Sequence, residues 1–342
     1  MQTKNVIIVG AGPAGLATAI ELKKISQYNV IILEKNPEIS YKICAGGIDP
    51  NLSEIDMPEE IIDRKFNRIK FFTPKQSLTI KKNNPVAATV DRKTLHEIMT
   101  TQALNVGVKI FFNKRVEKID GNSIIVSSKE TFKFDYLVGA DGSNSTIRKK
   151  LGVKTKKALT AFQYMIPGKY PDIEFYLNFE KFRLSYTWIF PQKNIISVGT
   201  GYDPNLSNSN FTIKDLRENF DNWCKEKFNL ENARFEAFSI NYDYRGFKRG
   251  NIFLAGDAAG FASGFTGEGI KFAILSGRDI AEKIINPNYE CKRIKNILKV
   301  KKRGETFIKL VNYNEFLGKK MMELFTFFLK TKTGGKIAKK IL

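Results

Sequence analysis

The segment NVIIVGAGPAGLATAIELKK, residues 5–24, leaves this chain few folds to choose from. Its apolar run, Val6 to Val9, reads as a strand buried on both faces, and Gly10, Gly12 and Gly15 lead from it into a helical pattern. A buried strand that turns at once into a helix is the opening unit of a parallel α/β sheet. Gly10 permits the turn, Gly12 lets a pyrophosphate approach the backbone, and Gly15 lets helix and strand pack closely, with Ala14 in the same turn. The helix start offers free N–H groups and a positive dipole end to phosphates. A second strand, NVIILE, ends at Glu34, 19 positions after Gly15, with Lys35 following. A carboxylate there can accept from ribose hydroxyls. These features predict a dinucleotide site that either FAD or NAD satisfies.

Two later segments discriminate. FDYLVGADGSNSTIRKKLG, residues 134–152, runs a strand to Ala140 and turns through Asp141-Gly142, with Ser143, Ser145 and Arg148 beyond. GNIFLAGDAAGFASGFTGEGIKFAILSG, residues 250–277, runs a strand to Gly256, places Asp257 at its tip and is expected to start a helix near Thr266. An acid at the carboxyl end of a parallel strand faces the crevice where ligands bind, so Asp257 can hold ribityl hydroxyls. N–H groups at the Gly267-Glu268-Gly269-Ile270 helix start can face the pyrimidine edge of a flavin and stabilise charge on its reduced form.

The three segments in this order resemble the FAD-dependent proteins of the p-hydroxybenzoate hydroxylase-like fold over about residues 1–285. That resemblance implies FAD as cofactor. It also implies that Arg92, in TVDRKTLHEIM, runs toward the cofactor, and that the turn at Val116 gives the adenine a backbone contact. His96, on the same helix as Arg92, is read as structural. The run YKICAGGI, residues 41–48, corresponds to the loop that crosses the isoalloxazine ring, with Ala45, Gly46 and Gly47 against the flavin and Cys44 beside it. A C-A-G-G run at this point resembles the geranylgeranyl reductase family, which reduces isolated double bonds of polyprenyl chains. YTWIFP, residues 186–191, resembles the Y-x-W-x-F-P signature of the same reductases. Strand alternation puts Tyr186, Trp188 and Phe190 on one face, where three rings can wall a long apolar cavity. The resemblance thus assigns Cys44, Gly46, Gly47, Tyr186 and Trp188 to the reacting centre. An isolated alkene gives hydride attack no carbonyl to accept electrons, so a proton must accompany the hydride. Cys44, Tyr186 and the reduced flavin are all candidate donors. The chain departs from many relatives in lacking a proline shortly before T-G-E-G-I, and it is shorter in its C-terminal region.

The expected architecture is α/β: a Rossmann-like FAD-binding domain, a second antiparallel β-sheet substrate domain and a helical C-terminus. The FAD domain is discontinuous, from residues 1–65, 86–155 and 249–290. Residues 66–85 and 156–248 supply strands such as FNRIKFFT, SLTIKK and IEFYLNF, plus an amphipathic helix with Leu216, Phe220 and Trp223 on one face. No second glycine fingerprint precedes a helix, so NAD(P)H or a reduced carrier protein is expected to deliver electrons transiently.

Lys and Arg number 56 against 35 Asp and Glu, a net charge of +21 that suggests anionic partners. From Cys291 to Leu342 there are 15 Lys and Arg against three Glu, a net of +12. There Phe316, Met321, Leu324, Phe325 and Phe328 fall at helical spacing, with Lys319, Lys320, Glu323 and Lys330 between them. This basic amphipathic segment, 291–342, predicts an anionic membrane surface as partner, unless its apolar face packs on the substrate domain. The lysines form no nucleic-acid motif. Three scattered cysteines and a single histidine predict no disulfide framework and no metal site. Neither a signal peptide nor a run of ~18 apolar residues is read, so the expected place is the cytoplasm, with peripheral attachment to the inner membrane face as the further option. Two rival readings stay open: a flavin-dependent aromatic monooxygenase, and a flavoprotein that only binds lipid.

Overall fold

In the computed structural model, which describes residues 3–39, 42–206, 211–312 and 315–329, the opening strand Asn5–Val9 lies inside a six-stranded sheet. Its neighbours Asn29–Leu33 and Tyr136–Gly139 both run parallel to it. Lys109–Phe111 and Ile252–Leu254 extend the parallel sheet on either side, and Lys248–Arg249 closes one edge antiparallel. The chain therefore builds outward in one direction, returns, and builds in the other. The crevice at that reversal, above the carboxyl ends of the first strand and Tyr136–Gly139, is where such sheets take ligands. Val6, Ile7, Ile8 and Val9 are all buried, as a strand covered on both faces requires. Helices Pro13–Ile25 and Ile270–Ile285 pack against each other, and Arg92–Asn105 lies beside the first of them.

The second sheet has seven strands, in the order Arg234–Asn241, Ala158–Pro167, Ile195–Tyr202, Thr187–Pro191, Ile173–Tyr176, Arg68–Phe72, Ser77–Lys81. One face carries Phe162, Ile166, Ile189 and Val198 against Leu216, Phe220 and Trp223 of helix Ile213–Lys227, the face expected from the sequence. The opposite face looks toward the crevice. The sheet is not wholly antiparallel: Ile173–Tyr176 pairs parallel with Arg68–Phe72. Between these strands the chain passes through the dinucleotide-binding part, and that long excursion supplies the crossover a parallel pair needs. A small sheet of Gly47–Ile48, Ala87–Val90 and Ile62–Phe66 anchors the glycine loop between the two large ones.

The C-terminal helices Lys292–Val311 and Glu315–Leu329 pack on the protein. Ile294, Ile297, Lys301, Gly304 and Val311 are buried. Glu323 accepts from Thr73 Oγ1 at 2.6 Å and from Gln76 Nε2 at 3.0 Å, and Lys319 pairs with Glu180 at 2.9 Å. Leu310, Phe316 and Leu324 remain exposed, at 56%, 65% and 60%. Tyr41, Lys330 and residues 331–342 lie outside the described residues, as do the side chains of Met321, Phe325 and Phe328. Among the described residues no helix is long and apolar enough to cross a membrane.

His96 is buried on helix Arg92–Asn105, and its Nδ1 donates to the Arg92 carbonyl at 2.8 Å. Burial, reinforced by the Arg92 charge, lowers the imidazole from 6.5 to about 4. Between those values the unfolded chain binds more protons than the folded one, so stability is full above about pH 6.5 and is lost as pH falls toward 4. The shift corresponds to about 3 kcal/mol at the acid end. Urea unfolding at several pH values should show this slope in the wild type and a shallower one in His96→Gln; equal slopes would contradict it.

Candidate flavin site and cavity

Gly10 has φ +102°, a conformation that side chains disfavour, and a Cβ there would lie 2.6 Å from the Ala140 carbonyl oxygen. A Cβ on Gly15 would collide with the Gly10 carbonyl, so helix and turn touch as the sequence predicts. Nothing lies within 4 Å of where a Gly12 Cβ would point, which leaves the turn open on the side facing the crevice. Glu34 is buried and accepts from the amides of Ala11 (2.9 Å) and Asn36 (3.0 Å), one on each carboxylate oxygen. Each oxygen retains acceptor capacity for a ribose hydroxyl.

A cavity of about 1390 Å³ runs from this turn to the C-terminal helices. Single small-molecule pockets hold roughly 300–1,000 Å³, so this one has room for a dinucleotide and a second ligand. Gly10, Gly12, Ala14, Glu34, Lys35, Arg92, Val116 and Asp141 line its first stretch. Cys44, Ala45, Gly46, Gly47, Asp257, Gly267, Gly269 and Ile270 line the middle, with Tyr186 and Trp188 opposite. Gly15 and Gly256 do not line it. Gly256 has φ +55°, and its Cβ position meets Ala14 Cβ at 3.0 Å, so it serves the strand-to-turn transition instead of touching a ligand directly. Val116 opens the strand Val116–Asp120 where a turn was expected, and the helix after Asp257 begins at Ile270, four residues beyond the expected start. The backbone turn Thr266–Gly269 fills the difference.

Asp257 is held by Lys42 Nζ at 2.6 Å and by Ser143 Oγ at 3.0 Å. Burial alone would raise its carboxyl, but Lys42 and the Ser143 hydrogen bond keep it below the usual range. Asp141 is turned inward: it accepts from Ser145 Oγ (2.5 Å) and from the amides of Thr146 (2.6 Å) and Ile147 (3.1 Å), shaping the turn for whatever its backbone touches. Burial pushes this carboxyl up, against those hydrogen bonds. Arg148 is buried and joins the same turn to Asp243, 3.3 Å away.

Gly46 and Gly47 answer to the protein as well as to any ring beside them. Gly46 has φ +84°, and a Cβ on Gly47 would lie 2.7 Å from the Phe190 ring. The Val90 amide donates to the Gly46 carbonyl at 2.8 Å, which fixes the loop in the small sheet. Tyr186, Trp188 and Phe190 do share one face, with ring centroids 6.0 and 6.1 Å apart in succession, and Phe175 packs on Tyr186 and Phe190 from the next strand. The Trp188 indole donates to Ser197 Oγ at 2.9 Å, and Ser197 donates to Gln163 at 3.0 Å. The Tyr186 hydroxyl donates to the Thr266 carbonyl at 2.6 Å, and burial raises it further from ionisation.

Arg92 Nε is buried without a hydrogen-bond partner among the described residues, on a side chain that lines the cavity. Such an orphan calls for an acceptor the chain does not supply. With the open Gly12 turn and the free acceptor capacity on Glu34, it fits an FAD-sized dinucleotide.

A family model described as FAD binding domain matches residues 3–290. The chain belongs to the FAD-binding domain family. FAD is its cofactor, and flavin chemistry makes this family member an oxidoreductase. It is 30% identical over 321 residues to a chloroplastic geranylgeranyl diphosphate reductase of Oryza sativa subsp. japonica, covering 82% of this chain and 66% of that protein. It is 29% identical over 317 residues to a digeranylgeranylglycerophospholipid reductase of Methanococcus vannielii, covering 84% of this chain and 79% of that one. A solved geranylgeranyl bacteriochlorophyll reductase-like protein from Thermoplasma acidophilum superposes with a TM-score of 0.72 at 23% identity, covering 94% of this chain and 87% of that one. A 2-methyl-3-hydroxypyridine-5-carboxylic acid oxygenase superposes at 0.65 and 18% identity, with 93% of each covered. The fold alone therefore serves reductase-like proteins and oxygenases alike.

Sequence reasoning passed over Lys42, Glu268 and Lys301. Lys42 stands two residues before Cys44 and was legible only as one more lysine. Glu268 lay in plain view inside T-G-E-G-I. Lys301 comes from the C-terminal helix, where its neighbours are exposed lysines.

Lys42 Nζ reaches the cavity beside Asp257 and can meet a phosphate there. Removing one charge-assisted hydrogen bond costs about 1.5–3 kcal/mol, or roughly 10–100-fold in affinity. Reconstitution of flavin-free Lys42→Met with FAD should show that loss; unchanged affinity would remove Lys42 from the cofactor's partners.

Proposed function

We propose that this family member is a reductase that saturates isolated C=C bonds of a polyprenyl, geranylgeranyl-type chain carried on a lipid or quinone. The observation that carries the reading is the single cavity that joins the dinucleotide turn to an apolar far end. With Tyr186, Trp188 and Phe190, its lining includes Ile69, Phe71 and Phe175 of the seven-stranded sheet and Phe307, Val311 and Met322 of the C-terminal helices. A chain of many methyl and methylene groups has a place there, and a small polar aromatic acid would leave most of it unfilled. The geranylgeranyl diphosphate reductase of Oryza sativa and the digeranylgeranylglycerophospholipid reductase of Methanococcus vannielii support the same substrate class.

The residues divide the work. The Gly10–Gly15 turn, Glu34, Lys42, Arg92 and Asp257 would hold FAD, and the amides at Gly269 and Ile270 would face its pyrimidine edge, while that of Gly267 donates to the Ser263 carbonyl at 3.0 Å. When bound, FAD in its reduced form supplies hydride at N5. Tyr186, Trp188 and Phe190 pin the alkene and exclude water, and the Cys44–Gly47 loop closes the cavity beside them. Electrons come from NAD(P)H or a reduced carrier protein that visits transiently.

Leu310, Phe316 and Leu324 are exposed beside exposed Lys309, Lys319 and Lys320, on the helices whose inner faces close the far end of the cavity. We place this basic, apolar-tipped surface against an anionic leaflet, from which a prenyl chain enters. Each basic group there contributes ~1 kcal/mol of salt-sensitive attraction.

Three outcomes follow. Lipid extracts of cells with the gene should contain prenyl species heavier by multiples of two hydrogens than extracts of cells without it; identical mass spectra would contradict the reading. Trp188→Ala should lose prenyl turnover while keeping its FAD; equal loss of both would make Trp188 a core residue only. The protein should sediment with anionic but not neutral vesicles, less so as salt rises. Phe316→Ser with Leu324→Ser should weaken that binding, and unchanged sedimentation would contradict the membrane surface.

A further inference from the structure

The proposed reaction needs a proton as well as a hydride, and most ionisable groups in the cavity are already engaged. The Tyr186 hydroxyl is given to the Thr266 carbonyl, and Asp257 is paired with Lys42. Asp141 caps its own turn, Glu34 accepts two amides, and His96 is neutral above about pH 4. Glu268 is different. Its backbone is fixed at both ends: the Ser263 amide donates to its carbonyl at 2.9 Å, and its own amide donates to Thr266 Oγ1 at 3.3 Å. Glu268 lines the cavity, and its carboxyl makes no hydrogen bond or ion pair with the described residues. The turn that carries it rests on the aromatic wall, since the Cβ position of Gly267 lies 3.7 Å from the Tyr186 hydroxyl.

Resting on the reductase reading, we infer that Glu268 is the acid that gives the alkene its proton. The π bond breaks as hydride from reduced flavin forms a C–H bond at one carbon. The Glu268 O–H bond breaks as its proton forms the C–H bond at the other. Oxidised flavin and the Glu268 carboxylate remain. The carboxylate regains a proton from water at the cavity mouth, where Asp49 is exposed, and the nicotinamide or carrier protein returns two electrons to the flavin.

The surroundings favour a held proton at neutral pH. Burial raises the Glu268 carboxyl from 4.5 to about 7, opposed by Lys271 and reinforced by Asp49 and Glu54. Lys271, in the first turn of the helix that follows, spends its charge on Glu54 at 2.5 Å. From the other elements, Asp49 faces it from just beyond the short strand Gly47–Ile48, and Tyr186 and Cys44 line the same cavity. Asp257 stands 3.4 Å from the neighbouring Gly269 Cβ position, neutralised by Lys42. A carboxyl in this state can both hold and release a proton near pH 7.

The test uses the full-length protein and two variants, Glu268→Gln and Glu268→Asp. Carbon-13 NMR of glutamate-labelled, flavin-free protein should show one carboxyl titrating near pH 7 that is missing from Glu268→Gln. In the FAD-loaded protein, anaerobic photoreduction should proceed in all three forms. Reoxidation by a prenyl lipid should slow ~100-fold or more in Glu268→Gln and recover partly in Glu268→Asp. The wild-type rate should fall above pH 7 as the acid ionises, and Glu268→Gln should lack that limb. Cys44→Ser should keep it. Wild-type reoxidation by Glu268→Gln, a Glu268 carboxyl titrating in the ordinary range, or transfer of the pH limb to Cys44 would each overturn the inference. A wild-type protein that leaves the lipid unreduced would instead overturn the substrate reading, and the NMR titration would still judge Glu268 as a proton-holding group.

Discussion

The carbonyls between Gly256 and Ile270 have no regular ladder, and side chains from four other parts of the chain hold them. Asn241 donates to Asp257 O at 2.7 Å, Arg148 to Ala258 O at 3.3 Å, Lys301 to Ala262 O at 2.5 Å, and Tyr186 to Thr266 O at 2.6 Å. Buried carbonyls need such partners, and these come from two places in the seven-stranded sheet, from the helix after the Asp141 turn and from helix Lys292–Val311. The loop between the last parallel strand and its helix is thereby fixed from every side. Without that hold, the amides at Gly269 and Ile270 would have no defined position against a flavin.

The C-terminal helix is bound into the same arrangement. Lys301 is buried, and burial lowers its ammonium to about 8, yet it donates to the carbonyls of both Ala262 and Tyr242. Three residues along, Gly304 lets Phe265 approach, and Phe265 packs edge-on against Phe307, with centroids 5.3 Å apart. Phe307 and Val311 line the cavity. One helix thus touches the loop after the last parallel strand through Lys301, Gly304 and Phe307 and also lines the cavity with Phe307 and Val311. The basic excess of this segment is mostly surface charge, but its buried lysine belongs to the interior.

The parts legible in the sequence were those set by local backbone demands. The Gly10–Gly15 turn, Glu34 at a strand end and the alternating rings of YTWIFP each show their reason within a few residues, and the structure places them on one cavity. What was not legible depends on contacts far along the chain. Nothing near Lys42 signals that it meets Asp257, 215 positions away. The parallel pairing of Arg68–Phe72 with Ile173–Tyr176 follows from the path between them, not from either strand's composition. Gly47 shows a mixed case: the sequence marked the glycine, but Phe190 is one reason for it, beside any flavin contact. Glu268 was visible and unread, because only folding reveals which carboxyls are left without partners.

The central claim is that the flavin and a prenyl chain share one cavity, end to end. Titrating the oxidised, FAD-loaded protein with a prenyl lipid, and following flavin absorbance with lipid binding, tests it most directly. The account predicts that binding perturbs the flavin spectrum, and that Val311→Trp, which fills the far end, abolishes both without changing FAD content. Lipid that binds while the flavin spectrum stays unchanged, or binds Val311→Trp as tightly as the wild type, would contradict it.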